Sequence, residues 1–322
     1  MFRSFNHLAA ATSIALLLLP LGSPAVAGTR IEKSVALASG GSFELDTDVG
    51  SVTVEGSSRD GVQLVIMSRN DDLLDKFELS IDEDADGVSV QFERKGSRSS
   101  WKWGRGDELK FAIQVPHQTR LDIDTSGGSI MVDSIDDEVR LDTSGGSIVA
   151  RGIGGELEAD TSGGSIQIED VDGDVVADTS GGSITVEDVR GSVSADTSGG
   201  SIVVRNADGD VDADTSGGSI AISRAGGRVN ADTSGGSIAV SFTAGNSAGG
   251  SMATSGGGIE INIDPSADLD IDAQASGGSV ITNLPLNVQG KISRTTLKGR
   301  LNGGGETLRL RASGGKIRIE PL

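Results

Sequence analysis

Seven aspartates that recur every 18 residues are the groups in this sequence whose regular spacing could do chemistry. Each begins an unchanged Asp-Thr-Ser-Gly-Gly-Ser-Ile segment. They are Asp124, Asp142, Asp160, Asp178, Asp196, Asp214 and Asp232. A row of carboxylates could bind Ca²⁺, or each carboxylate could accept backbone N–H groups of its own turn. We favour this structural turn ladder, because the Gly-Gly-x-Gly-x-Asp loop of calcium-loaded β-rolls is missing.

Further acidic residues between the repeats are the candidate metal ligands. These are Asp170, Asp172, Asp174, Asp208 and Asp210. Acidic residues do not recur at these positions in every repeat, and a regular metal array would need the same ligands each time. We therefore expect at most one local Ca²⁺ site among them, and no other cofactor.

Two tryptophans lie together in a basic, serine-rich segment. Trp101 and Trp103 alternate along it, and Arg105 follows. Aromatic rings beside cations suit glycans or envelope components, so we predict a contact loop here. A hairpin tip folded over one end of the protein is the structural alternative.

The residues needed for common catalytic sites are scarce. The chain has two histidines, of which His117 lies outside the N-terminal leader, and it has no cysteine. Triads based on histidine and zinc sites are thereby disfavoured, and we predict no catalytic residue. A carbohydrate-active β-helix enzyme using two carboxylates is the least favoured alternative, because these carboxylates come from repetition and not from convergence on one cleft.

The elements that must position these residues are short strands. In each repeat an Ile six residues after the Asp, and apolar residues at fixed later positions, alternate with polar ones. This period-two pattern, interrupted by Gly-Gly and usually by a second glycine, predicts two strands and two turns per coil. We expect an all-β solenoid of stacked parallel strands, with the Thr after each Asp forming an inward hydroxyl ladder and glycine supplying positive φ angles at the corners.

The repeats divide the chain into four parts. We predict a signal peptide at residues 1–27 and an irregular β region at 28–121. The regular solenoid follows at 122–243, and a β region of degenerate repeats at 244–322. The two irregular regions are expected to cover the ends of the solenoid, where unpaired strand edges would otherwise recruit other chains.

The N-terminal leader indicates export. A basic start, a short apolar run and Ala25-Val26-Ala27 have the order that signal peptidase recognises. No apolar run is long enough to span a bilayer, so we predict no transmembrane segment. The protein should lie in the periplasm, on the cell surface or in the medium.

Charge is strongly negative and uneven along the chain. The formal net charge is −20, which disfavours nucleic acid as a partner and favours cationic ones. Residues 124–240 hold 22 acidic and 6 basic side chains, whereas residues 290–322 hold 2 acidic and 8 basic ones. This basic end either docks on anionic glycans, lipids or another copy of the chain, or only protects strand edges.

Several segments resemble a known family. They are Gly50-Ser51-Val52-Thr53-Val54, Ile113-Gln114-Val115-Pro116 and Leu301-Asn302-Gly303-Gly304-Gly305. With the repeats, they make the chain similar to the bacterial putative-adhesin family of exported β-strand-repeat domains of unknown function. The resemblance implies an envelope location and supplies no catalytic residue. The strict 18-residue register is a departure from the family pattern.

The sequence thus predicts a noncatalytic envelope or surface β-solenoid that acts as an adhesin-like scaffold. Its partners would be cell-surface or envelope components such as glycans or cationic proteins. The alternative is a cation-responsive module, either binding Ca²⁺ or another ligand or signalling envelope stress. Self-association is left open.

Overall fold

The computed structural model describes residues 28–84, 86–96, 108–288 and 293–322. They form an all-β solenoid, in which the only helix of these ranges is α1 (Leu73–Lys76). No helix in the described part of the chain is long and apolar enough to cross a membrane. The predicted signal peptide at residues 1–27 lies outside the described residues.

The strands fall into three groups along the chain. The N-terminal group is β1 (Thr29–Val35), β2 (Ser42–Thr47), β3 (Ser51–Ser57), β4 (Val62–Ser68), β5 (Phe77–Glu83), β6 (Gly87–Arg94) and β7 (Leu109–Pro116). The regular group is β8 (Arg120–Thr125), β9 (Ile130–Ile135), β10 (Val139–Thr143), β11 (Ile148–Ile153), β12 (Leu157–Thr161), β13 (Ile166–Val171), β14 (Val175–Thr179), β15 (Ile184–Val189), β16 (Val193–Thr197), β17 (Ile202–Ala207), β18 (Val211–Thr215), β19 (Ile220–Ala225), β20 (Val229–Thr233) and β21 (Ile238–Phe242). The C-terminal group is β22 (Gly250–Thr254), β23 (Ile259–Ile263), β24 (Leu269–Ala275), β25 (Val280–Thr282), β26 (Leu286–Val288), β27 (Thr296–Leu301), β28 (Glu306–Ala312) and β29 (Ile317–Pro321).

Two long sheets face each other across a thin core. Sheet A has 14 strands in the order β1-β4-β7-β3-β9-β11-β13-β15-β17-β19-β21-β23-β29-β25. Sheet B has 15 strands in the order β26-β27-β24-β28-β22-β20-β18-β16-β14-β12-β10-β8-β2-β6-β5. In the regular group each coil gives one parallel strand to each sheet, as the repeat predicts.

Equivalent residues of successive coils stack directly on one another. Ile148 pairs with Ile166 in sheet A, and Thr143 pairs with Thr161 in sheet B. The inward Ile, Val and Ala side chains are almost completely buried. Each fully buried aliphatic side chain contributes roughly 1.5–3 kcal/mol, and it is buried only because the coils above and below cover it.

Each regular strand of sheet A from β9 to β19 contains one residue in the left-handed region. The six residues, with φ between 56° and 63°, are Ser134, Gly152, Asp170, Asp188, Asn206 and Arg224. This residue lets two consecutive side chains face outward before the next one points into the core, as Ile153 and Val171 do. The repeat pattern alone did not predict this kink.

The two ends of the solenoid depart from simple stacking order. The first coil, β2–β3, lies between the coil β6–β7 and the regular coil β8–β9. Antiparallel strands complete this end, and a cluster of phenylalanines fills its core, with Phe92 stacked on Phe77 at 4.9 Å and edge-on to Phe111 at 5.4 Å. At the other end, the coil β28–β29 lies between β22–β23 and β24–β25.

Candidate functional site

A single column of aspartates runs along the outer face of sheet B. Their inward neighbours, such as Ala159 and Thr161 on either side of Asp160, are buried, so the carboxylates point out. The seven repeat aspartates stack in register, and Asp46 extends the column by one coil through its pairing with Asp124. The Asp column therefore consists of Asp46, Asp124, Asp142, Asp160, Asp178, Asp196, Asp214 and Asp232.

The Asp column forms one wall of a shallow groove. The exposed serine two residues after each Asp, for example Ser162 or Ser180, forms the other wall. One stretch from Asp142 to Ser198 encloses about 320 Å³, and a second from Asp196 to Ser234 encloses about 280 Å³. We call the two stretches together the acidic groove. It presents one carboxylate and one hydroxyl per coil.

Partial burial, and after it the charges of neighbouring carboxylates, raise several pKa values in the acidic groove. Partial burial raises the pKa of Asp178, and the charges of Asp160 and Asp196 raise it further. Burial first, and then the charges of Asp142 and Glu158, raise the pKa of Asp160, although Arg140 opposes them there. Ionisation of Asp160 and Asp178 therefore opposes folding.

The corner between the sheets is held by threonine. The Thr161 hydroxyl donates to the carbonyl oxygen of Gly146 in the preceding coil at 2.8 Å, and accepts from the Gly164 N–H at 3.3 Å. The same pair of bonds recurs at Thr143, Thr179, Thr197, Thr215 and Thr233. The predicted inward threonine ladder is confirmed.

We predicted that each column aspartate accepts backbone N–H groups of its own turn, and the structure shows a different acceptor. The Ser162 N–H, which Asp160 was expected to bind, donates to the Thr143 carbonyl at 3.3 Å. Within the described ranges the column carboxylates make no hydrogen bond to the corner, because they lie on the outer face while the donors point along the stack. The aspartates are therefore surface groups and not turn ligands.

The Gly-Gly pair has a different role from the one we predicted. None of the corner glycines in the repeats has a positive φ. A Cβ at Gly164 would lie 1.9 Å from the carbonyl oxygen of Gly146 in the preceding coil, whereas one at Gly163 would lie 3.6 Å from its nearest neighbour. The second glycine is required because stacked coils approach closely there.

The candidate metal ligands lie at the opposite corner, and several of them already have partners. Asp174 accepts from the Ser192 N–H, and Asp210 from the Arg228 N–H, both at 2.7 Å. Asp172 pairs with Arg190 at 2.5 Å. Asp174 and Asp210 thus cap the backbone of the next coil, and Asp172 binds a side chain of that coil.

The other two candidate metal ligands, Asp170 and Asp208, take no part in these bonds. Asp170 has a left-handed backbone with φ of 59°, and Asp208 is exposed. In the part of the chain that the structure describes, no three His, Cys, Asp or Glu side chains are grouped as a metal site would require. The five candidates are thus not brought together around one point.

The predicted contact loop and the histidine lie on two other segments. Trp101, Trp103 and Arg105 lie outside the described residues, so the contact loop stays a prediction. His117 is half-buried, and its Nδ1 lies 2.8 Å from the Ser134 carbonyl oxygen. This bond ties the N-terminal β region to the first regular coil.

The outer face of sheet A carries charges that neutralise each other, a feature that we did not predict. Arg151 pairs with Glu169 at 3.2 Å, and Arg205 pairs with Glu187. Opposite charges 18 residues apart are the sequence signal for such pairs. In contrast, no Asp-column residue forms an ion pair within the described ranges.

Comparisons with known proteins give structural neighbours only. No family model matches the chain, and no curated protein matches it. A putative cell adhesion protein from Clostridium sporogenes is 12% identical, with a TM-score of 0.26 over 92% of this chain and 100% of that one. A putative adhesin from Bacteroides fragilis is 13% identical, with a TM-score of 0.37 over 91% of this chain and 97% of that one.

A third neighbour carries a different description. A putative lipid binding protein from Parabacteroides distasonis is 12% identical, with a TM-score of 0.33 over 92% of this chain and 96% of that one. The second neighbour shares the word adhesin with the family that the sequence resembles. At these identities none of the three assigns a role to any residue.

Proposed function

We propose that this chain is a noncatalytic exported protein of the cell envelope or surface, an adhesin-like scaffold that offers its acidic groove to cationic proteins or glycans. One observation carries the proposal. The same carboxylate and hydroxyl face solvent in every coil of the groove, in register with the coils on both sides.

The repetition favours binding over catalysis. A catalytic site brings different groups to one reacting atom, with an acid, a base or a nucleophile in separate roles. The acidic groove instead repeats one pair of groups along the rod. Such a surface suits a partner that is itself repetitive.

The spacing favours a multivalent mode of binding. Coils stack about 4.8 Å apart, so neighbouring carboxylates are one strand spacing from each other. A single exposed ion pair contributes roughly 0–1 kcal/mol. When a chain of cations engages several carboxylates at once, each contact raises the effective concentration for the next, and the overall affinity is high. This binding weakens as the salt concentration rises.

Binding of the fluorescently labelled protein to intact bacterial cells tests the proposal. The groove variant, with Asp178, Asp196 and Asp214 changed to Asn, should lose most of the saturable binding. A matched control changes three exposed acids outside the groove, Asp71→Asn, Asp82→Asn and Asp136→Asn. Equal loss in both variants would show that only net charge matters, and absence of binding by the unaltered protein would overturn the proposal.

A cation-responsive module is the second candidate. The observation that favours it is the stacking of carboxylates one coil apart, as at Asp214 and Asp232, where burial first and the Asp232 charge next raise the pKa of Asp214. A cation held between two carboxylates would relieve this repulsion. The partners already bound by Asp174 and Asp210 weigh against a Ca²⁺ site at the opposite corner.

A further inference from the structure

The last described coil in sequence is not the last coil in the stack. β28 pairs in parallel with β22 on one side and with β24 on the other. β29 likewise pairs with β23 and with β25. The coil of residues 306–321, here called the inserted coil, therefore occupies a slot whose two walls are both made by residues that precede it.

The inserted coil is bonded and buried like an interior rung. Its backbone makes hydrogen bonds to both walls, with Ser313 N–H donating to the Thr254 carbonyl at 2.9 Å and Ser276 N–H donating to the Ala312 carbonyl at 2.8 Å. Five of its side chains are at most 2% exposed. They are Leu308, Leu310, Ala312, Ile317 and Ile319.

Charged side chains match the inserted coil to its slot. Arg311 donates to the Asp272 carbonyl oxygen at 2.7 Å and to its carboxylate at 3.0 Å. Glu306 also pairs at 2.7 Å with Arg228, which lies just before β20, one coil beyond the nearer wall. Burial opposes ionisation of Asp272, but the Arg311 and Lys298 cations outweigh it and lower its pKa. The slot thus recognises this coil by charge as well as by register.

A short loop joins the inserted coil to β27, which pairs antiparallel with the far edge of the wall strand β24. Residues 302–305 connect β27 to β28, and both Asn302 and Gly304 have positive φ angles, of 50° and 72°. If this loop opens, the inserted coil leaves two sheet edges exposed in each sheet. Exposed edges pair readily with a strand of matching register.

We propose that the inserted coil exchanges between two copies of this chain, so that each copy fills the slot of the other. The contacts in the exchanged dimer are those of the closed monomer, and only the loop at residues 302–305 changes conformation. Exchange therefore links copies of the scaffold without a new interface.

Two charge-reversed variants of the full chain test the exchange. In Asp272→Arg the slot repels its own Arg311, and in Arg311→Asp the coil is repelled by its own Asp272. Exchange restores opposite charges in both slots of a mixed dimer. After co-refolding, native mass spectrometry should show a one-to-one heterodimer, and the mixture should melt in one transition above that of either single variant.

A double variant, with both charges reversed in the same chain, is the control for this experiment. The double variant Asp272→Arg with Arg311→Asp should regain stability as a monomer, which shows that the reversed pair forms. If it does so while the mixture of single variants contains only the two separate species, the proposal is wrong. If the double variant does not regain stability, the charge match that the proposal requires is absent and the proposal is likewise overturned.

Discussion

The Thr161 hydroxyl lies 2.8 Å from the carbonyl oxygen of Gly146, one coil earlier in the chain, and joins the two coils at the corner between the sheets. It also accepts the N–H of Gly164 in its own coil. One side chain therefore satisfies a donor and an acceptor that would otherwise be unpaired.

Replacing this hydroxyl should be costly. Thr161→Val keeps the shape but leaves the Gly146 carbonyl and the Gly164 N–H without their partner. We expect a loss of about 1–3 kcal/mol in the free energy of unfolding, measured by urea denaturation. Ser162→Ala, at an exposed neighbour, should change it by less than about 0.5 kcal/mol. Equal effects would contradict the role of the threonine ladder.

Replacing each of the two corner glycines by alanine should change the free energy of unfolding by very different amounts. Gly164→Ala puts a Cβ 1.9 Å from a backbone oxygen of the preceding coil, whereas Gly163→Ala meets nothing closer than 3.6 Å. We expect the first variant to lose about 3 kcal/mol or more, and the second to change by less than about 1 kcal/mol. Thermal unfolding of both proteins measures this, and a well-folded Gly164→Ala variant would contradict the stacking geometry.

Neutralising the Asp column should stabilise the protein at neutral pH. The folded-state pKa values of Asp178 and Asp214 are raised, chiefly by burial and then by neighbouring carboxylates, so the folded state holds more protons than the unfolded state at intermediate pH. Their contribution to stability therefore grows as pH falls through the raised pKa, down to about 4, and is lost as pH rises.

The groove variant isolates this effect from other titrating groups. With Asp178, Asp196 and Asp214 changed to Asn, we expect a higher melting temperature than the unaltered protein at pH 7, and a smaller difference near pH 4. Thermal unfolding across this range measures both. A variant that is less stable at pH 7 would mean that the carboxylates make favourable contacts.

Calcium should have little effect on stability. A site with a dissociation constant 100-fold below the Ca²⁺ concentration would add about 2.7 kcal/mol. Because Asp174 and Asp210 already accept backbone N–H groups, we expect no shift of this size between excess EDTA and millimolar Ca²⁺. A large rise in melting temperature with Ca²⁺ would favour the cation-responsive module instead.

The regular coils can be predicted because each residue type recurs every 18 residues with the same burial and the same stacking partner. An apolar residue such as Ile166 recurs at one position in every coil, so one alternating pattern gives its strand, its inward side and its register. The outward Asp column and the inward threonines follow from the same alternation. Which of the two binds the corner does not follow, because it depends on where the donors of the next coil point.

The kinks in the strands and the order of the coils at the ends depend on contacts that leave no periodic signal in the sequence. Ser134, Asp170 and Arg224 share a left-handed backbone but no residue type, so the kink in each strand has no sequence mark. The degenerate repeats predicted at residues 244–322 indicate coils, but not the insertion of the last coil between two earlier ones. The order of coils is decided by long-range fit, of which the Arg311 and Asp272 pair is one part.

The affinity of the purified protein for poly-L-lysine, measured by fluorescence anisotropy, tests most directly whether the acidic groove is the binding surface. The groove variant and the control with Asp71, Asp82 and Asp136 changed to Asn lose the same charge. We expect the dissociation constant to rise more than about tenfold, or about 1.4 kcal/mol, in the groove variant and less than about twofold in the control. Equal changes in the two variants would contradict the account, since binding would then follow net charge and not the stacked aspartates.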